Sequence, residues 1–305
     1  MRRVAIFDVG TNTVQFLVAT LESGKLKTLF SDQRVTRLGE GLGTSKFLKE
    51  SAIEKSKVAI AEILEAAKEF EPFELKVVVT YPARVAKNRD LLASKIFEAT
   101  NAEMITLSWK DEVGLSLQGA MMVIPDKDIL LFDIGGGSVE FVSHKNNGVQ
   151  HFFGTDLGVV SLTEQFIFDH PVVMSQYQNM QDRIEKQIIE GFKKLKYDAK
   201  FELVGVAGSV TAVAAIAANL HKYDQGFVNG YQLSYDKLMA VKEQLFAMTL
   251  AKRSEIAFLR NGREDLVVAG IGLIETIMKV AKKNKLTVSD YSLREGLAIR
   301  MLTDL

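Results

Sequence analysis

Short apolar runs alternate with longer helical patterns along the first half of the chain. Runs of this length, rich in β-branched and aromatic residues and bounded by turn residues, predict strands, whereas the longer patterns predict helices. Ser51 and Glu54 have the spacing of a capping box, so we expect the first helix to open there. The predicted order is three strands, a helix, a strand and a helix: residues 4–7, 14–21, 26–30, from 51 onward, 75–79 and 84–99.

The second half repeats this order from residue 129 onward. A turn is predicted at residues 145–148, between the second and third strands of the repeat. The predicted elements are again three strands, a helix, a strand and a helix: residues 129–132, 139–143, 149–153, 175–195, 203–206 and 208–220. A shared order over so long a period indicates an internal structural duplication and not a short-period solenoid. Two unrelated α/β domains with a similar order of elements are the alternative.

Both halves place an Asp-x-Gly hairpin turn after their first strand. A duplicated unit of this kind resembles actin, Hsp70 and hexokinase. The resemblance implies duplicated actin-like ATPase (ribonuclease H-like) domains, with mixed sheets flanked by helices and both turns facing an inter-domain cleft, where they grip phosphates. We expect domain I to span residues 1–124 and domain II residues 125–305, and the last helix, about 293–305, to pack back on domain I.

The turn of the second half carries the sharpest local chemistry. An aspartate at a strand end can hold a cation, and successive glycines let backbone N–H groups approach an anion closely. By the two-residue period of a strand, the last acid of the segment points to the same side as its serine. A solvated glycine-rich turn is the alternative, although three glycines exceed what a turn needs. The candidate residues are Asp133, Gly135, Gly136, Gly137, Ser138 and Glu140.

Two further segments suit phosphate. The turn of the first half supplies neutral donors, and the strand end at 206 is followed by a helix start whose unpaired N–H groups attract anions. An Asx-turn and close strand–helix packing are the respective alternatives. The candidate residues are Asp8, Gly10, Thr11, Asn12 and Thr13 in the first segment, and Gly208 and Ser209 in the second.

Two single charged residues complete the candidate set. Arg84 follows the strand at 75–79, and its guanidinium is a fork-shaped donor suited to phosphate. Glu112 falls in the first turn of a helix that begins near Lys110, where a carboxylate can orient and deprotonate a water. Judged alone, each residue is more readily interpreted as ordinary: a surface arginine, and an acid that complements a helix dipole.

Composition narrows the classes of partner. The 305 residues contain 38 Lys+Arg and 38 Asp+Glu, so bulk charge favours neither nucleic acid nor an anionic membrane as partner. The chain has no cysteine, which excludes disulfides and thiolate chemistry, and its four histidines show no metal-ligand spacing. The N-terminal apolar run is broken by Asp8, too early for a signal peptide, so we expect a cytoplasmic protein.

Ordered matches along nearly the whole chain resemble the exopolyphosphatase/guanosine pentaphosphate phosphohydrolase family. The resemblance implies that Glu112 is the catalytic base, that Arg84 binds phosphate, and that Asp133 lies in a phosphate and magnesium loop. Gln15 and Ser161 depart from the pattern, because many relatives carry a basic residue there. The matching segments are residues 8–12, 37–42, 80–88, 108–113, 133–140, 157–164, 205–209 and 289–297.

The expected activity is therefore the release of the terminal phosphate of inorganic polyphosphate. Arg84, Asp133 and Glu140 are expected to act in catalysis beside Glu112. We expect Mg²⁺ as cofactor, held by Asp133 and Glu140 with Asp8 as a third ligand. Guanosine pentaphosphate is the alternative substrate, and a non-hydrolytic actin-like nucleotide-binding protein is the alternative class. A sugar kinase has less support, since no sugar-binding segment is recognisable. The sequence leaves the oligomeric state open, with a homodimer among the options.

Overall fold

The computed structural model describes residues 2–125, 127–145, 148, 150–197, 200–260 and 262–303. The chain divides into two compact units: Met1–Gly119 together with Ser292–Leu305 (unit 1), and Ala120–Tyr291 (unit 2). Each unit has its own sheet and its own hydrophobic core. None of the described helices is both long enough and apolar enough to cross a membrane.

Unit 1 is built on a five-stranded sheet of order β3-β2-β1-β4-β5. The first three strands form antiparallel hairpins, and β1, β4 and β5 run parallel. The strands are β1 (Arg3–Val9), β2 (Thr13–Glu22), β3 (Lys25–Val35), β4 (Glu74–Val79) and β5 (Met104–Thr106). The helices are α1 (Leu42–Ser45), α2 (Glu50–Ala66), α3 (Tyr81–Val85), α4 (Arg89–Thr100) and α5 (Trp109–Met121), with a 3-10 turn at Lys68–Phe70. The last two residues of α5 belong to unit 2.

Unit 2 is built on a six-stranded sheet of order β10-β11-β9-β6-β7-β8. Its strands are β6 (Ile129–Ile134), β7 (Val139–His144), β8 (Gln150–Thr155), β9 (Glu202–Val206), β10 (Gln232–Ser234) and β11 (Lys285–Val288). Its helices are α6 (Val159–Phe166), α7 (Met174–Phe192), α8 (Gly208–Ala217), α9 (Gln225–Val228), α10 (Tyr235–Phe246), α11 (Leu250–Ser254) and α12 (Val267–Val280).

The predicted duplication is confirmed by the two sheets. In unit 2, β6, β7 and β8 pair antiparallel and β6, β9 and β11 pair parallel, which is the arrangement of β1 to β5 in unit 1. The two turns also close alike. The Gly10 N–H donates to the Thr13 carbonyl at 3.0 Å, and the Gly135 N–H donates to the Ser138 carbonyl at 3.0 Å. The edge strand β10 is an addition of the second copy.

Both faces of the sheet in unit 1 are covered. Along β1 the residues Ala5, Phe7 and Val9 face one core, in which the Phe7 and Phe16 ring centroids lie 4.3 Å apart. The intervening Val4 and Ile6 are equally buried. A last helix, α13 (Leu293–Thr303), packs against β1 and β2. A sheet covered on two faces explains why the strand reads as a continuous apolar run instead of an alternating one.

Two local predictions are wrong. Helix α2 begins at Glu50, with Lys49 as its cap, because the Lys49 carbonyl accepts from the Ala52 and Ile53 N–H groups. A lysine side chain has no acceptor, so it makes no capping bond. The single helix predicted over 84–99 is two helices, α3 and α4. Between them the Asn88 side chain bonds the backbone N–H and C=O of Leu48, both at 2.9 Å. Of the turn predicted at 145–148, residues 146 and 147 lie outside the described residues.

Unit 2 contains a fully buried arginine beside a histidine. Arg253 donates from Nε to the Leu245 carbonyl at 2.8 Å, and its Nη1 lies 2.8 Å from His170 Nδ1. Burial lowers the pKa of His170 from its ordinary 6.5, and the adjacent Arg253 lowers it further, against a smaller opposite effect of Asp265 and Asp169. The native protein therefore resists protonation of this imidazole.

This resistance predicts a loss of stability in acid. Below about pH 6.5 the unfolded chain takes up a proton at His170 that the native state refuses, so the free energy of unfolding falls as the pH falls. A His170→Gln variant should lose less stability than wild type between about pH 7.5 and about pH 5.5 in urea titrations. The exposed His221→Gln change is the control. If wild type and His170→Gln lost the same free energy of unfolding over this pH range, His170 would not be the source of the acid sensitivity.

Candidate active site

Three strand ends of unit 1 bring candidate residues to one edge of the sheet. Strands β1, β4 and β5 are parallel and in register, with Val9 paired to Val79 and Val79 paired to Thr106. The segments that follow them therefore emerge at the same edge, where open α/β sheets bind ligands. These segments are the turn at residues 10–13, helix α3 with Arg84, and helix α5 with Glu112.

Arg84 and Glu112 form an ion pair at this edge. Arg84 Nη1 contacts Glu112 Oε2 and also donates to the Leu107 carbonyl at 3.2 Å. The side chain of Glu112 is buried, with 10% of its surface exposed. The structure thus brings together two residues that are 28 positions apart. A paired arginine stabilises the negative charge of the carboxylate and fixes its orientation.

The start of helix α5 explains how Glu112 is presented. The Ser108 hydroxyl donates to Asp111 Oδ2 at 2.6 Å, and the Asp111 N–H donates back to Ser108 Oγ at 3.2 Å. Asp111 therefore serves the helix start, which is the ordinary role of an acid in a first turn. Glu112 instead pairs with Arg84. The ordinary role of an acid at a helix start, which the sequence left open for Glu112, is therefore filled by Asp111.

The turn of unit 1 is anchored by its carbonyl groups. The Gly39 N–H donates to the Thr11 carbonyl at 2.8 Å, and the Thr36 and Arg37 N–H groups donate to the Asn12 carbonyl at 3.0 Å each. In a trans peptide the N–H points opposite to the C=O, so the Asn12 N–H is directed away from Gly39. A Cβ at Gly39 would lie 2.3 Å from Thr11 Cγ2, so only glycine allows this contact.

The turn of unit 2 is anchored in the same way. The Gly135 carbonyl accepts from the Val159 N–H at 3.1 Å, and the Gly136 carbonyl accepts from the Val160 N–H at 2.8 Å, so the start of α6 holds the turn. The N–H groups of Gly136 and Gly137 are then directed away from α6, in the manner of an anion-binding nest. A Cβ at Gly158 would lie 2.1 Å from the Gly136 carbonyl oxygen.

Asp133 and Glu140 are cross-strand neighbours on β6 and β7. Both are buried, Glu140 completely, and Ser138 Oγ donates to Glu140 Oε1. In unit 1 the equivalent of this pair is Asp8 with Gln15, so the turn of unit 2 alone has the second carboxylate. The described residues include no group of three or more metal-ligating side chains. Two carboxylates fit Mg²⁺, because this ion commonly keeps several waters and binds substrate phosphates.

Beside the start of helix α8 lies Arg263, a residue that the sequence did not single out. Gly208 and Ser209 begin the helix after β9, as predicted, and the guanidinium of Arg263 lies 3.4 Å from the place of a Gly208 Cβ. A cation beside the positive end of a helix is unfavourable by itself. An anion bound there would contact both the helix N–H groups and the arginine. No local motif marks Arg263 in the sequence.

The chain resembles known phosphatases over its whole length. It is 24% identical to exopolyphosphatase 2 of Mycobacterium tuberculosis over 316 aligned residues, which cover 99% of both chains. It superposes on an exopolyphosphatase from Cytophaga hutchinsonii with a TM-score of 0.91 and 26% identity, covering 100% of this chain and 99% of that one. An Aquifex aeolicus Ppx/GppA protein gives a TM-score of 0.83 and 25% identity, covering 99% and 98%.

Fold and resemblances together define a hydrolase of the phosphatase class, built on the duplicated α/β architecture of the actin-like ATPases. The model of the Ppx/GppA phosphatase family matches residues 17–305. The chain belongs to this family.

Proposed function

We propose that the protein releases the terminal phosphate of inorganic polyphosphate by attack of a water that Glu112 activates. The observation that carries this proposal is the ion pair of Arg84 and Glu112 at the edge of the sheet where the turn 10–13 also emerges. A buried carboxylate beside an anion-binding arginine combines the two groups that phosphoryl transfer to water requires: a base and a stabiliser of negative charge.

Unit 1 supplies the base and part of the charge stabilisation. A guanidinium has five N–H groups in a fixed plane, so Arg84 can donate to Glu112 and to a phosphate oxygen at the same time. Glu112 is held by this contact and accepts the proton of the attacking water. The bridging oxygen of the scissile P–O–P bond leaves with the shortened chain, and the terminal phosphorus leaves as orthophosphate.

Unit 2 supplies an anion cradle and the residues for a cation. The N–H groups of Gly136 and Gly137 are directed to one side, where they suit phosphate oxygens. Asp133 and Glu140 would hold Mg²⁺, and the ion supplies positive charge against the charge that develops on the phosphoryl oxygens. Ser138 orients Glu140 through its hydroxyl hydrogen bond.

An Asp133→Asn variant tests the cation assignment. Loss of one of two carboxylates should raise the Mg²⁺ concentration for half-maximal phosphate release by about 10-fold or more. The exposed Asp156→Asn change in the same unit removes the same charge and should leave the requirement unaltered. An unchanged Mg²⁺ requirement in Asp133→Asn would show that Asp133 does not hold the ion.

Guanosine pentaphosphate is a second candidate substrate. Arg263 beside Gly208 favours it, because this nucleotide carries two separate phosphate groups and unit 2 presents a second anion-binding feature at α8. Phosphate release from polyphosphate, guanosine pentaphosphate and ATP, each with Mg²⁺ and with the ion chelated, tests the proposal. We expect fast release from polyphosphate. Binding of ATP without release from any substrate would instead indicate a nucleotide-binding protein.

A further inference from the structure

Two segments of unit 1 bring positively charged side chains together on its surface. The segments 36–49 and 84–89 are joined by the Lys87 N–H, which donates to the Lys46 carbonyl at 2.9 Å. Asn88 and Leu48 join them again through two hydrogen bonds of 2.9 Å. Lys46 and Lys87 are therefore neighbours on hydrogen-bonded backbones, although they are far apart in the sequence.

The lysines at this junction are not neutralised by acids. Among the residues that the structure describes, no carboxylate forms an ion pair with Lys46 or Lys87, and both side chains are exposed. The one acid of the first segment, Glu40, pairs with Lys49 at 2.7 Å. A bound anion would therefore meet two positive charges here that none of the described acids already occupies.

An exposed aromatic ring holds one of these cations in place. Phe47 is 50% exposed, and the Lys87 ammonium lies 5.8 Å from its ring centroid, within the range of a cation–π contact. The Ser45 hydroxyl donates to the Phe47 carbonyl at 2.9 Å, which fixes the backbone that carries the ring. This contact places the Lys87 ammonium beside the ring at the junction of the two segments.

The same two segments lead directly to the candidate active site. Lys87 follows Arg84 by three residues, so their Cα atoms are at most about 11 Å apart. At the other end, the Arg37 N–H donates to the Asn12 carbonyl in the turn 10–13 at 3.0 Å. Arg89 adds a further exposed cation, and its nearest acid is the fully exposed Asp90 at 4.0 Å.

We propose that Arg37, Lys46, Lys87 and Arg89, hereafter the basic tract, bind the phosphate units of a polyphosphate chain that follow the terminal one. Every unit of such a chain carries negative charge, so contacts with successive cations accumulate with chain length. A single nucleotide has fewer successive phosphates with which to make such contacts. The basic tract rests on the phosphatase function proposed above and specifies its substrate class as long, linear polyphosphate.

The double variant Lys46→Gln/Lys87→Gln tests this assignment. With long-chain polyphosphate its KM should rise by about 10-fold, and the dependence of KM on salt concentration should weaken, because fewer counterions are released on binding. With tripolyphosphate, kcat should stay within about twofold of wild type, since the candidate catalytic groups are unchanged. The control is Lys193→Gln/Lys196→Gln, which removes two exposed lysines of unit 2.

Calorimetric titration with long-chain polyphosphate separates the tract from the catalytic proposal. Weaker binding by the double variant than by wild type supports the tract even if neither protein releases phosphate, in which case the proposed function alone fails. If the double variant hydrolyses and binds long chains as wild type does, the tract is refuted and the proposed function stands. An equal loss in the Lys193→Gln/Lys196→Gln control would also refute it, because the effect would then be one of net charge.

Discussion

A Glu112→Gln variant should lose about 10²- to 10⁴-fold in kcat for phosphate release while it retains its fold. The amide has the shape of the carboxylate and can still accept from Arg84, but it cannot take the proton of the attacking water. The expected loss therefore concerns the chemical step, and KM should change far less than kcat. Phosphate release and circular dichroism, measured on the same preparation, check both parts of this prediction.

Asp111→Asn is the matched control, since it removes one negative charge from the same helical turn. Asp111 contacts Ser108 at the helix start, whereas Glu112 contacts Arg84. The control should stay within about threefold of wild type in kcat. If Glu112→Gln were as active as Asp111→Asn, Glu112 would not be the base, and the ion pair with Arg84 would have only a structural role.

A Gly158→Ala variant should lose about 10²-fold in kcat/KM and about 1–3 kcal/mol in the free energy of unfolding. The new Cβ would lie 2.1 Å from the Gly136 carbonyl oxygen and 2.3 Å from the Gly137 carbonyl carbon, both backbone atoms that cannot rotate away. The turn 135–138 must then shift. Any residue can adopt the backbone conformation of Gly158, with φ −75° and ψ 155°. A loss in the alanine variant would therefore come from this contact and not from backbone strain.

Gly114→Ala is the control for this variant. Gly114 lies inside α5, where an added Cβ meets nothing within 4 Å. Alanine should therefore keep activity near that of wild type and stabilise the protein by about 0.5–1 kcal/mol through the helix. Kinetics and urea titration of both variants give the comparison. Wild-type activity in Gly158→Ala would show that the position of the turn does not matter for catalysis.

The architecture was predictable because short patterns of adjacent residues indicate the duplication. The Asp-x-Gly turns at Asp8 and Asp133 follow apolar strands and precede further strands, and both close as hairpins in the structure. The local errors have a different origin. Ser51 has good capping chemistry, yet the helix begins earlier, and the helix predicted over 84–99 is interrupted where Asn88 bonds Leu48. The distant contact of Asn88 overrode local preference at the second place, whereas the start of α2 is set by local bonds to the Lys49 carbonyl.

The contacts that build the site were beyond the reach of residue patterns. Arg84 and Glu112 look ordinary in isolation, and only the register of the parallel strands brings them together. The glycines that back the two turns, Gly39 and Gly158, lie in the matching segments 37–42 and 157–164, but the sequence assigned neither of them a role. Their necessity appears only when the space beside Thr11 and Gly136 is known. Residue spacing did not assign roles to Arg84 and Glu112, and the resemblance to a phosphatase family supplied them. The roles of individual residues stay predictions.

The most direct test of the central claim is hydrolysis of polyphosphate in water enriched in ¹⁸O. If water attacks the terminal phosphorus, each released orthophosphate carries one ¹⁸O atom and the remaining chain carries none, while the chain shortens from its end. Mass spectrometry of both products reads this out. Label in the shortened chain would place the attack at another phosphorus, and no phosphate release at all would contradict a polyphosphate hydrolase.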